Sequence, residues 1–223
     1  MIAFVVVCII VAIFVASWFR QADKTQRQGA MSQLAQEMGL EFFEEDPFDL
    51  EAQVNFSLFK KDTLSWGKYG ISNVLPGMLG DTQVFLFDYT YRESSGDSYR
   101  VSRQTVFLAL DKTWSLPDFC LRRKPGWQKA MGTIGFPSGI ALKEDPDFSQ
   151  TFLLTGEDKA QIQKLFGPSV QMFVARYGEL RLEVSGPSLI AYQPDVRLSV
   201  AYDAQAFYED CCELIELLKS KDK

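Results

Sequence analysis

Hydrophobic and polar positions divide this chain after its first twenty residues. Ile2 to Phe19 carry no charge and one hydroxyl, Ser17, and twelve of the eighteen are Ile, Val or Phe. As a helix the run would span ~27 Å, close to the ~30 Å hydrocarbon core of a bilayer. The pattern predicts a transmembrane anchor over residues 1–20. Ile2, Phe4, Val7, Ile10, Ile13, Phe14 and Phe19 would lie among the lipid chains, with Trp18 at headgroup level. A cleaved signal fits less well, because no Lys or Arg precedes the run and Phe14-Val15-Ala16 offers no A-x-A site. Cys8, Ala12 and Ala16 recur at i, i+4 and i+8, a small-residue ridge on which a second anchor could pack to form a homo-oligomer.

From Gln21 to Met38 the chain is polar with a helical stripe, Met31, Leu34, Ala35 and Met38, and Gly39 is placed to cap it. This reads as a juxtamembrane helix over 21–38 packed on a soluble domain, 39–223, that begins with a short strand, Leu40–Phe43. Thr82–Arg92 and Tyr99–Asp111 are β-rich runs around Glu93–Ser98 and predict a hairpin. A symmetric loop would set Asp88 opposite Arg103 and Phe87 opposite Gln104. Phe85, Phe87, Tyr89 and Tyr91 would share one face as core. Further on, Leu116–Phe119 reads as a strand end, Gly132-x-x-Gly135-x-x-x-Gly139 as a connection, and Phe148–Leu154 as a strand. Glu157–Phe166 reads as a helix, with Pro168 opening another. Leu180–Val184 and Leu189–Gln193 form a second hairpin, and Val196, Leu198, Val200 and Tyr202 alternate as a strand. Asp203 would cap a closing helix with the stripe Phe207, Cys211, Leu214 and Leu218. The class is α+β, mainly antiparallel sheet with flanking helices, with a pleckstrin-like ending as the architectural alternative.

Charge then sets orientation and narrows the partners. Arg20, Lys24 and Arg27 follow the apolar run within eight residues, which by the positive-inside rule puts the domain in the cytoplasm. Residues 39–223 hold twenty basic against twenty-seven acidic side chains, a net −7. That balance argues against nucleic acid, whose binding rests on phosphate neutralisation, and against an anionic lipid surface. The chain has no histidine and four cysteines without metal-ligand spacing, so Ser-His-Asp, Cys-His and His-containing zinc chemistry are excluded. No metal or cofactor is expected. The acidic stretch Glu41–Glu51 lacks the ligand spacing of a calcium loop, and Arg122-Arg123-Lys124 reads as a solvated strand end, with an acidic partner or a lipid headgroup as the alternative. Asp88, Tyr89, Gln104 and Asp118 are the candidates for a pocket near the hairpin, with the carboxylates as acid–base groups if burial raises them. The competing account gives both acids structural work, Asp88 in a cross-strand pair and Asp118 in a turn.

The motifs Asn73-x-Leu75-x-Gly77, Leu86-Phe87-Asp88-Tyr89-x-Tyr91, Gln104-Thr105-Val106, Leu116-Pro117-Asp118-Phe119-x-Leu121-Arg122, Asp147-Phe148-Ser149, Leu154-x-Gly156 and Leu165-Phe166 occur in this order. The order resembles a family of uncharacterised bacterial proteins with one N-terminal membrane helix and a domain of unknown function. The resemblance implies a single-pass protein of the bacterial inner membrane. It implies no activity, and at Arg123-Lys124-Pro125 this chain departs from the family's Pro-Glu. The function expected is a membrane-tethered cytoplasmic interaction or scaffolding module with an unnamed protein partner. A ligand-binding or enzymatic pocket near residues 82–111 is the alternative.

Overall fold

The computed structural model describes residues 2–60, 70–95, 98–125, 139–142 and 144–222, and the side chains from Trp18 onward with few exceptions. The chain opens with one helix, α1 (Ile2–Met38), that carries the apolar run and the polar stripe without a break. Side chains of the ridge Cys8, Ala12 and Ala16 lie outside the described residues, as does the glycine-rich stretch up to residue 138. Among the described residues no helix is long and apolar enough to cross a membrane.

After α1 come β1 (Phe43–Glu45), α2 (Leu50–Gln53), β2 (Gly70–Leu79), β3 (Thr82–Ser95), β4 (Ser98–Leu110) and β5 (Phe119–Arg123). The remainder is α3 (Pro146–Thr151), β6 (Phe152–Gly156), α4 (Lys159–Leu165), α5 (Pro168–Tyr177), β7 (Arg181–Ser185), β8 (Ser188–Tyr192) and α6 (Gln205–Asp222). The strands form one antiparallel sheet in the order β1-β2-β3-β4-β8-β7-β5-β6. The fold is therefore α+β, an eight-stranded antiparallel sheet with flanking helices.

Each face of the sheet has its own core. Helices α1, α4, α5 and α6 pack on one face through Met31, Leu34, Ile162, Val174, Phe207 and Leu214, all buried against β-strand residues such as Leu86 and Phe107. The stripes expected for α1 and α6 are thus buried, Met38 only in part, and each large apolar side chain removed from water contributes about 1.5–3 kcal/mol. On the other face Phe85, Phe87, Tyr89 and Tyr91 lie under Leu50, Phe56 and Leu58. Gly39, at φ 68°, ends the packed part of α1, with Leu40 N–H donating to the Ala35 carbonyl.

Four local expectations are corrected. The first strand begins at Phe43 and not Leu40, because only Phe43 and Glu45 meet β2. The hairpin pairs Asp88 with Thr105 and Phe87 with Val106, closing on a tip at Ser95 and Ser98. Arg103 faces Thr90 instead. The shift moves each partner by two residues, so the aromatic face is preserved. Residues 146–151 are helical because Asp145 caps Phe148 N–H at 2.9 Å and Pro146 pre-sets the first turn. The strand begins only at Phe152. Val196–Tyr202 is not a strand: the Leu198 amide and carbonyl go to the Thr105 hydroxyl and Arg27, and Val200–Ala204 winds into a π-helical turn that contains Asp203.

Candidate functional site

Of the four residues expected around the hairpin, the structure keeps three there and distributes all four over three environments. Asp88 points to the helix face of β3. There Arg27 of α1 clamps it with two bonds, Nε to Oδ2 at 2.8 Å and Nη2 to Oδ1 at 2.8 Å. The guanidinium also donates to the Leu198 carbonyl at 2.7 Å and to the Thr105 hydroxyl at 3.2 Å. Thr105 in turn donates to Asp88, and Asn73 Nδ2 donates to Asp88 at 3.0 Å. Asn73 reaches it from a bulge in β2 where its φ is +55°, a left-handed conformation that asparagine tolerates better than most residues. Both partners of the ion pair are buried, at 8% and 4% exposure. An aspartate so fully engaged is a structural anchor and not a free acid–base group. Arg27, expected with Arg20 and Lys24 beside the apolar run, is committed to Asp88. Asp23, between Arg20 and Lys24, is ion-paired with Arg197 at 2.9 Å.

Tyr89 and Gln104 lie on the opposite face, directly across from one another. Both are fully buried, and the Tyr89 hydroxyl, Gln104 Nε2 and the Ser102 hydroxyl have no hydrogen-bond partner among the described residues. Gln104 Oε1 accepts from Asp195 N–H at 3.2 Å. The Tyr192 phenol is buried beside Arg181 without a hydrogen bond of good geometry. Burial raises the Tyr89 and Tyr192 hydroxyls well above the usual phenol range, so both stay protonated at any physiological pH. Beside these neutral donors stands a carboxylate: Glu51 lies near enough to act on the Tyr89 hydroxyl, and burial, with the charges of Asp46 and Asp49, raises its own carboxyl.

Asp118 lies at the far end of the sheet, where it accepts from Gly186 N–H at 2.7 Å and closes the β7–β8 turn. It borders a cleft of about 750 Å³ together with Asn55, Ser57, Cys120, Glu157 and Glu183. Glu183 is buried there and accepts from the Ser57 hydroxyl at 2.7 Å. Burial, reinforced by the Glu183 charge, pushes the Cys120 thiol up to about 11. It is a thiol and not a thiolate at neutral pH, so Cys120 is not an activated nucleophile. No group of three His, Cys, Asp or Glu among the described residues is arranged to hold a metal ion.

A second groove, of about 490 Å³, is lined by Arg122, Arg123, Lys124, Arg181, Glu179 and Pro194, of which only the basic run was visible in the sequence. It arises because β5 and β7 are neighbours, which brings Arg181 beside the basic run fifty-seven residues earlier. Arg123 pairs with Glu179 at 3.0 Å and Lys124 Nζ donates to the Ser149 carbonyl at 2.6 Å. Four cations thus share one carboxylate. Comparison with family models, with curated proteins and with solved structures finds no match to this chain.

Proposed function

We propose that the chain is a single-pass anchor fused to an α+β domain, held in one orientation on the cytoplasmic side of the bacterial inner membrane for a protein partner. The observation that carries this reading is the continuity of α1. One helix contains the apolar run at its N-terminal end and, eight residues past Phe19, the Arg27 clamp that fixes it to the sheet. A flexible linker would merely raise local concentration. A helix fixed to the core also sets distance and direction, which suits a scaffold better than a diffusing enzyme. Arg20 and Lys24 support the cytoplasmic assignment, and the resemblance in motif order is to a bacterial anchored family.

Protease added to intact cells should leave the domain whole, whereas lysed cells should lose it. Loss of the C-terminal part from intact cells would place the domain outside and end this reading. Affinity capture from solubilised membranes should enrich a defined protein over a variant lacking residues 2–19. Identical captures would count against a membrane-bound partner.

A second reading, a small-ligand site on the hairpin, is favoured by the unpartnered polar atoms of Tyr89, Ser102 and Gln104. Buried polar groups without partners are rare, and a ligand or ordered water would satisfy them. The pocket would use Tyr89 and Gln104 only, since Asp88 faces the opposite way and Asp118 caps a distant turn.

A further inference from the structure

We infer that the groove formed by Arg122, Arg123, Lys124 and Arg181 binds the phosphate-bearing headgroup of an anionic lipid in the membrane that α1 enters. The inference rests on the anchor reading above and adds a specific contact to it. Its first support is local charge. The domain is acidic overall, yet four cations line a groove of about 490 Å³ against Glu179 alone. Arg122 and Arg181 have no carboxylate partner among the described residues, and arginine forks match phosphate oxygens in pairs.

Its second support is position. Leu40, just beyond α1, contacts Gly77, and Arg27 meets Asp88, so α1 ascends β3 from the Val84 level toward the Ser95 end. The apolar half of α1 therefore leaves the sheet at that end. Tyr192 pairs with Val106 on β4 and with Arg181 on β7, which places Arg181 and the following Pro194 toward the same end. The register of β5 against β6 and β7 does the same for Arg122 and Arg123. Tyr99, Val101 and Val196 are exposed there, and Arg103 and Arg197 lie close to Asp23 of α1. Aromatic and apolar side chains interleaved with arginine suit the headgroup region. Asp118, Glu157 and the acidic cleft sit at the opposite end of the same strands, away from the bilayer. The net −7 thus conceals a segregation of charge along the strand direction.

Full-length chain is placed in lipid nanodiscs, one set zwitterionic and one containing a third phosphatidylglycerol, and backbone hydrogen exchange is followed. Amides of residues 122–124 and 179–182, which line or adjoin the groove, should exchange about tenfold more slowly in the anionic discs. Arg122→Gln/Arg181→Gln should remove that difference, and Lys159→Gln/Lys164→Gln, which deletes two exposed charges of α4, should keep it. Arg123→Gln/Lys124→Gln is the second groove variant should the first fail to fold, with the same loss expected. Equal exchange in the two discs overturns the proposal, as does protection that survives the groove substitutions. Inorganic phosphate producing the same protection in zwitterionic discs would assign the groove to a free anion and overturn the lipid. A chain that does not enter discs defeats the anchor reading itself, whereas an inserted chain without anionic protection defeats the groove alone.

Discussion

At the scale of single residues, the arginine that sequence reasoning placed at the membrane surface is the one most tied to the fold. Arg27 and Asp88 are removed from water together and satisfy one another with two short bonds. Breaking such a pair leaves a buried charge uncompensated, at a cost of about 3–5 kcal/mol. Arg27→Leu should therefore lower stability by that amount in chemical denaturation of the full chain in detergent. Arg27→Leu/Asp88→Leu should recover a large part of the loss, because both charges are then gone. Tyr89 is the opposite case. Its hydroxyl is buried with no partner among the described residues, so Tyr89→Phe removes an unsatisfied group and should leave stability unchanged or raise it by about 1 kcal/mol. If the hydroxyl instead holds a ligand that copurifies with the chain, the same substitution should release that ligand, as seen by native mass spectrometry.

Between elements, the closing helix is fastened to the sheet by a comparable but smaller device. Asp111, at the end of β4, accepts from Thr82 at 2.7 Å and from the Thr113 hydroxyl and amide at 2.6 and 2.9 Å. Lys219 near the end of α6 lies 3.1 Å from the same carboxylate and donates to Thr82. Burial would raise this carboxyl, but the hydrogen bonds from Thr113, Thr82 and Lys219 outweigh it and hold the group far below the usual carboxylate range. A pKa lowered by folding contributes stability that is complete above the unfolded value, about 3.9, and is lost as pH falls toward the folded one. Asp111→Asn should cost about 2 kcal/mol at pH 7 and flatten the fall in melting temperature between about pH 5 and pH 3. Elements of this kind show how far the sequence reads. The stripes of α1 and α6, the two hairpins and the aromatic face were legible because a period of 3.6 or 2 survives in the side chains. Strand β2 was not, since Gly70, Asn73, Pro76 and Gly77 interrupt any alternation. Its proline is tolerated because beyond Phe43 and Val74 the outer side of β2 is an edge. Leu198 misled for a different reason: its alternation with Val196 is real, but tertiary partners take its backbone groups. The Arg27–Asp88 pair, sixty-one positions apart, and the meeting of Arg181 with Arg122 depend on long-range packing that no local pattern encodes.

For the molecule as a whole, the proposed anchor and one continuous helix together would make height above the bilayer a matter of residue count. Each residue between the apolar run and Arg27 adds ~1.5 Å and turns the domain ~100° about the helix axis. Seven alanine-rich residues inserted between Arg20 and Gln21 complete nearly two turns, so the domain keeps its heading while rising ~10 Å. That displacement exceeds the ~8 Å screening length at physiological ionic strength, and the basic groove would no longer feel the headgroups. The insertion touches neither the Arg27 clamp nor the stripe from Met31 to Ala35, so the melting temperature of the domain should not change. Hydrogen exchange in anionic discs should nevertheless become as fast at residues 122–124 as in zwitterionic ones. A tether that bends freely would let the domain settle back onto the surface, and protection would persist despite the insertion. The two outcomes separate a rigid mount from a leash. A rigid mount would present the acidic end of the sheet, with Asp118 and Glu157, at a constant height to whatever protein approaches along the membrane.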